Sequence, residues 1–252
     1  VHREVLRRDL HGRGVEAQAL AVADAAAERP RLPPPDWALR MPGPQPDYVG
    51  PVAATSLGGA KVLGGPVEDA DRAAAMLRGT RLHLLLEHLP GQPRAEWRDL
   101  AVSALSGDEG GLPDQDELAA LLAEAVAVID APDLAQIMSP DPSAQLLREV
   151  ALTAPLPGIG ILHGTIDRLI VTDDRVLAVD YKSNAEVPAL PDATPEGILR
   201  QMAAYRDALR LIWPDRRVEV AVLWTTSRSL MSLPDPLLDR AMAALDHGAP
   251  GS

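Results

Sequence analysis

This sequence contains no cysteine and no phenylalanine, and it has only two lysines, Lys61 and Lys182, against 22 arginines. Without cysteine there can be no disulfide, no thiolate zinc site and no cysteine-ligated iron–sulfur cluster. A chain of this kind fits a reducing, cytoplasmic setting. Aromatic residues make up 3% of the chain, so the core must come from Leu, Val, Ile and Ala. No segment approaches 18 uninterrupted apolar residues, and no signal-peptide pattern opens the chain, so no membrane span is expected. There is no GxxxxGK[ST] loop, which removes that route to an ATP site. Excess positive charge is lacking too: the net charge is -12. That counts against a domain that grips nucleic acid by itself, because such affinity comes mostly from neutralising phosphates. A nuclease is still compatible, since clustered carboxylates are what a site for a hard metal ion requires.

What is present is a globular composition, 46% hydrophobic over 252 residues, enough to bury a core. Residues 1–50 read as a loosely patterned helix over 2–29 followed by an arm rich in Pro and Gly, with Trp37 and Tyr48 available to pin it. Residues 51–246 read as the folded domain and 247–252 as a polar tail. Within the domain, 67–89 has a helical stripe of Ala74, Leu77, Leu82, Leu85, Leu86 and Leu89, stopped by Pro90-Gly91. A second helix is expected over 114–130, capped by Asp114 and buried through Leu118, Leu121, Leu122, Ala125, Val126 and Ile129. The period then changes. Strands are expected over 146–156, 159–171 and 175–182, joined by tight turns into an antiparallel meander. A helix from Glu196 to Trp213, an interior strand over 218–225, a short strand over 230–233 and a terminal helix over 236–245 complete an α/β layer arrangement.

The chemistry concentrates in GTIDRLIVTDDRVLAVDYKSN. Asp180 lies 13 residues after Asp167, and Lys182 follows Asp180 by two, so both point the same way from one strand. If Asp167 faces that side of the neighbouring strand, a divalent cation can sit between the two carboxylates with an ammonium group beside it. Strict alternation puts Leu162, Gly164, Ile166 and Arg168 on one face of the second strand. The alternative is plain: Asp-x-Lys arises by chance, Asp180 could face solvent at a strand end, and Asp167 could pair with Arg168. Both acids sit late in apolar strands, however, where an unpaired carboxylate is costly. Gln201 and Tyr205 share a helix face and could bond a phosphate. His83 stands in a leucine-rich helix where a core role is the ordinary one, and His88 is five residues further on. Glu149, on the first strand, could reach the metal or pair with Arg148 or Arg168.

His83 on a helix, GTIDR at 164–168, VDYKSN at 179–184 and QMAAY at 201–205 together resemble the nuclease domain of the RecB family, over roughly residues 50–245. LLLEHLP after the histidine and LWTTSRSLMSLP near the end bring it nearest to the C-terminal nuclease domain of AddA-type helicase–nuclease subunits. The resemblance implies a restriction-endonuclease-like (PD-(D/E)XK) core, a mixed sheet flanked by helices, with additional N-terminal helices. It implies His83, Asp167, Asp180 and the carbonyl of Tyr181 as ligands of Mg²⁺, for which Mn²⁺ could substitute, and Lys182 as the catalytic lysine. It also implies Gln201 and Tyr205 as residues that help hold DNA near the metal, and Glu149, less firmly, as a further acid. The partners it implies are single-stranded DNA, a helicase motor in the same parent chain and an AddB-like subunit, with double-strand-break repair as the setting. Two rival expectations remain: an inactive nuclease-like scaffold that binds a partner subunit, and a nuclease acting on RNA.

Overall fold

The computed structural model describes residues 50–61, 69–107 and 111–246, together with Pro33 and Pro35. The helix expected over 2–29, nearly all of the arm that follows it and the tail over 247–252 lie outside the described residues. The elements below all belong to one unit, Val49–Ser252.

In chain order they are β1 (Val52–Ala53), α1 (Asp69–His88), α2 (Trp97–Leu105), α3 (Gln115–Ile129), α4 (Ala135–Met138), β2 (Gln145–Leu156), β3 (Gly160–Val171), β4 (Arg175–Lys182), α5 (Glu196–Ile212), β5 (Arg217–Trp224), β6 (Ser229–Ser232) and α6 (Asp235–Asp246). The expected meander is there, β2–β3–β4, antiparallel throughout. β4 and β5 are parallel, joined through α5, and β6 turns back along β5. The result is a mixed six-stranded sheet covered by helices on both faces. Three elements escaped the sequence reading: β1, only two residues long, α2, which buries Trp97, Ala101 and Leu105, and α4, a single turn that buries Ile137 and Met138.

The two faces have separate cores. On one, α5 and α6 pack through Ile198, Met202, Leu209 and Leu238 onto Leu162, Ile166, Val176, Val220 and Trp224. On the other, α1 to α4 pack through Leu82, Leu86, Leu121 and Ile137 onto Ile170, Leu177, Val179 and Leu223. β4 and β5 alternate between these cores, which is why both read as nearly continuous apolar runs. α3 starts where the Asp114 carboxylate accepts from the Glu117 N–H at 2.8 Å. It then buries Leu118, Leu121, Ala125 and Val128 at helical spacing. In α1 the expected stripe holds only from Leu82 onward: Ala74 is exposed and Leu77 half-buried, because the first turns extend past the sheet core. Gly79 is buried instead; a Cβ there would lie 2.8 Å from Ser183 Oγ. Its lack of a side chain lets α1 approach the end of β4 closely, one turn before His83. Among the described residues no helix is long and apolar enough to cross a membrane.

Candidate metal centre

β3 is paired with β2 along its whole length, but its other edge is divided. It pairs with β4 from Arg168 to Val171, and with β1 at Leu162 and His163. Between these, Gly164 to Ile166 pairs only with β2 and Asp167 with no strand, so β3 and β4 fork apart at Asp167 and Asp180. Backbone groups left in such a fork must find other partners. The Tyr181 N–H donates to Asp167 Oδ2, and the Thr165 carbonyl accepts from the Tyr205 hydroxyl at 2.8 Å.

A second irregularity sits opposite. In the β2–β3 register Glu149 faces Asp167, and this pair alone drops out between Gln145↔Val171 and Leu156↔Gly160. Glu149 has φ 46°, in the left-handed region that non-glycine residues rarely adopt. The pleat slips by one at this point. Leu162 and Ile166 face the α5 core, and so do Leu169 and Val171 beyond the slip. Arg168 therefore does not share a face with Ile166, as strict alternation predicts, and turns towards α1 instead. Its guanidinium donates to the carbonyls of Ile137 at 2.9 Å and Leu86 at 3.0 Å. Arg148 donates to the Pro90 carbonyl at 3.1 Å. Neither arginine is the ion-pair partner considered for Glu149 or Asp167.

The fork gathers the chemistry. His83 Nδ1 lies 3.4 Å from Asp167 Oδ1, with the His83 ring edge-on to Tyr181 at 5.5 Å. His83, Glu149 and Asp167 each offer a ligand atom, all within 4.8 Å of one another. Asp180 is buried on the α5 side of the fork. Its Oδ1 accepts from Gln201 Nε2 at 2.8 Å, and its Oδ2 touches the Lys182 ammonium. A strand residue points its N–H and C=O to the same edge. The Tyr181 N–H faces Asp167, so its carbonyl opens into the fork, whereas the Lys182 carbonyl faces β5 and accepts from the Thr225 N–H at 2.9 Å. His88, the other histidine of this helix, is exposed beside Glu87.

Gln201 and Tyr205 are both buried, at 3% and 1% exposure. Gln201 holds Asp180, and Tyr205 accepts a further bond from Gln201 at 3.3 Å while closing the fork at Thr165. Their bonds run to the carboxylate and the sheet, the arrangement of residues that position the centre from behind.

Negative charge is crowded here. Glu149 is exposed as a residue, yet its carboxyl is pushed up to about 7, by loss of solvent first, then by Asp167, Glu87 and Asp180, with His83 opposing. Burial drives Asp180 above the usual carboxylate range, and Asp167 adds to the effect against the Lys182 charge. Burial opposes the charge on His83, but the hydrogen bond and charge of Asp167 outweigh it and raise the imidazole. Carboxylate oxygens with one imidazole nitrogen are a donor set for a hard or borderline divalent ion, and a cation would relieve the crowding.

The sequence reading missed three supports of this centre: Arg168, Gly79 and Gly164. Arg168 bonds to backbone carbonyls, and no residue-type pattern announces such partners.

A family model described as the PD-(D/E)XK nuclease superfamily matches residues 58–242. No curated protein matches the sequence. Among solved structures, the crystal structure of SSO0001 is similar at 8% identity over 71% of this chain and 88% of that one, with a TM-score of 0.30. The family match takes in every residue of the centre, from His83 to Tyr205, and on it this chain belongs to the PD-(D/E)XK nuclease superfamily.

Proposed function

We propose that this domain is a Mg²⁺-dependent deoxyribonuclease that hydrolyses single-stranded DNA, exonucleolytically, as a helicase motor in the same parent chain feeds the strand past it. Double-strand-break repair, with an AddB-like partner subunit, is the setting proposed. The observation that carries the reading is the fork between β3 and β4. There the ligand atoms of His83, Glu149 and Asp167 lie within 4.8 Å of one another, next to a buried Asp180 in contact with Lys182.

His83, Asp167, Asp180 and the Tyr181 carbonyl would hold the ion, with Glu149 completing the set. When bound, Mg²⁺ or Mn²⁺ would acidify a water and draw charge from the phosphoryl oxygens. The chain's own residues do the rest. Lys182 would offer its ammonium to the negative charge that grows on the phosphoryl group. Gln201 would keep Asp180 turned towards that ammonium, and Tyr205 would keep the fork at a fixed width. In the reaction the water oxygen bonds to phosphorus as the bond from phosphorus to the leaving sugar oxygen breaks. With a net charge of -12, the isolated domain should bind DNA weakly and lose activity steeply as salt rises.

The test is cleavage of end-labelled single-stranded DNA, duplex DNA and RNA with Mg²⁺, Mn²⁺ or EDTA. Cleavage of single-stranded DNA that EDTA and Asp180→Ala abolish is the expected result. Wild-type protein inert on every substrate would turn the reading to a scaffold, and cleavage of RNA alone would reassign the substrate.

A further inference from the structure

Beside the fork, on the other side of the Lys182–Thr225 contact, the surface opens into a pocket of about 310 Å³ lined by Arg78, Glu124, Ala127, Thr225, Thr226 and Arg228. It is formed where α1, α3 and the β5–β6 turn meet. That turn spans Thr225 to Arg228, between the paired Trp224 and Ser229. It is fastened to the residues that follow the catalytic lysine: the Thr225 N–H donates to the Lys182 carbonyl, and Thr226 Oγ1 donates to the Asn184 carbonyl at 3.1 Å. The pocket and the fork are therefore held at a fixed separation by the same strand end. Along α1 they are five residues apart, Arg78 to His83, or about 7.5 Å of helix rise.

Two features of the pocket call for an anionic ligand. Arg228 is exposed and makes no ion pair among the described residues, yet its backbone has φ 55°, a conformation in which glycine is the unstrained choice. An arginine held there at some cost presents an unpaired guanidinium at the pocket rim. Across from it, Arg78 is paired with Glu124, the only acid in the lining. Glu124 also accepts from Thr225 Oγ1 at 3.3 Å, so a carboxylate stands against Arg78 and the Thr225 hydroxyl in a pocket that Arg228 also lines. A phosphate offers the same acceptor oxygens and would bridge both guanidinium groups.

We infer that this pocket is a phosphate subsite for the nucleic-acid strand, holding a backbone phosphate that flanks the one at the fork. In a chain so acidic overall, it supplies local positive charge where the strand must pass. The inference rests on the nuclease reading for its substrate class and adds to it the route of the strand, past Arg78 and Arg228.

The experiment measures the Kd of a labelled single-stranded oligonucleotide for the full chain across a salt series, in Ca²⁺ and in EDTA, alongside cleavage in Mg²⁺. Arg228→Gly should raise Kd about tenfold and flatten the slope of log Kd against log salt by about 0.7, the value for one phosphate contact on a single strand. Its melting temperature should hold or rise, since glycine suits that φ, so weaker binding would not reflect unfolding. Arg228→Lys should restore part of the affinity, and Glu124→Gln, which removes the competing carboxylate, should tighten binding. Arg228→Gly with wild-type Kd and salt slope would overturn the subsite while leaving a cleaving wild type as a nuclease. Wild-type protein that binds through Arg228 but cleaves nothing would uphold the subsite against the nuclease reading, and protein that neither binds nor cleaves would sink both.

Discussion

Gly164 leaves the space that the ring of Tyr205 fills: a Cβ on residue 164 would lie 2.7 Å from Tyr205 Cε1 and 2.9 Å from its hydroxyl. The ring cannot easily step aside, because Tyr205 is 1% exposed and its hydroxyl donates to the Thr165 carbonyl. The Cβ of Ala54, at 3.1 Å, closes the other direction. Gly164→Ala should therefore cost about 1–3 kcal/mol of stability through overpacking, measured by urea denaturation. It should also lower cleavage by widening the fork. A melt indistinguishable from wild type would mean that the ring yields.

Arg168 joins the C-terminal ends of two helices to the sheet. Its fully buried guanidinium donates to Leu86 in the last turn of α1 and to Ile137 in α4, carbonyls that a helix end cannot satisfy itself. Arg168→Met should cost about 2–5 kcal/mol, because those carbonyls stay buried without partners. Arg168→Lys should recover little, since one ammonium cannot span both helix ends as the planar fork does. Full stability of the methionine variant in a denaturant titration would refute this.

Lys182 and Asp167 should separate chemistry from metal binding. Lys182→Ala should lower cleavage of single-stranded DNA by about 10²-fold or more while Mn²⁺ still binds, as followed by calorimetry. Asp167→Asn should lose both. Wild-type cleavage by Lys182→Ala would remove that residue from the reaction.

The metal-free protein should lose stability as pH rises. Glu149 titrates near 7 in the folded chain, against the ordinary glutamate value near 4.3 when unfolded. Between those values the folded state holds a proton that the unfolded state has released, so unfolding is favoured with increasing pH through that window. Asp180 and His83 are raised as well and act in the same direction. Melting temperatures in EDTA should fall from pH 5 to pH 8, and Mn²⁺ should reduce the fall by taking the place of the proton. A flat profile in EDTA would show that the carboxylates do not crowd as described.

Most of the fold was legible because its elements carry strong local patterns. The strands β2 to β5 announce themselves through apolar runs and turn residues, and α3 through Asp114 and its buried stripe. β1 was not, since two residues carry no period; neither were α2, which lies in a stretch of mixed polarity, and α4, a single turn. The residues of the centre were legible by type and order alone. Their facing was not: alternation ran unbroken through Arg168 on paper, whereas in the fold the pleat slips at Glu149 and Asp167.

The sequence by itself determined that an acid-rich, arginine-rich, cysteine-free chain would fold into strands and helices in an α/β layer arrangement, with Asp180 and Lys182 on one side of one strand. Those are consequences of composition and of a period of two, and both are local. Only the tertiary structure decided that β3 and β4 part where they do, that Asp167 takes the Tyr181 N–H, and that Tyr205 rather than a neighbouring strand satisfies Thr165. Whether a backbone group pairs with a strand or with a side chain depends on what packs beside it, and that neighbour comes from elsewhere in the chain.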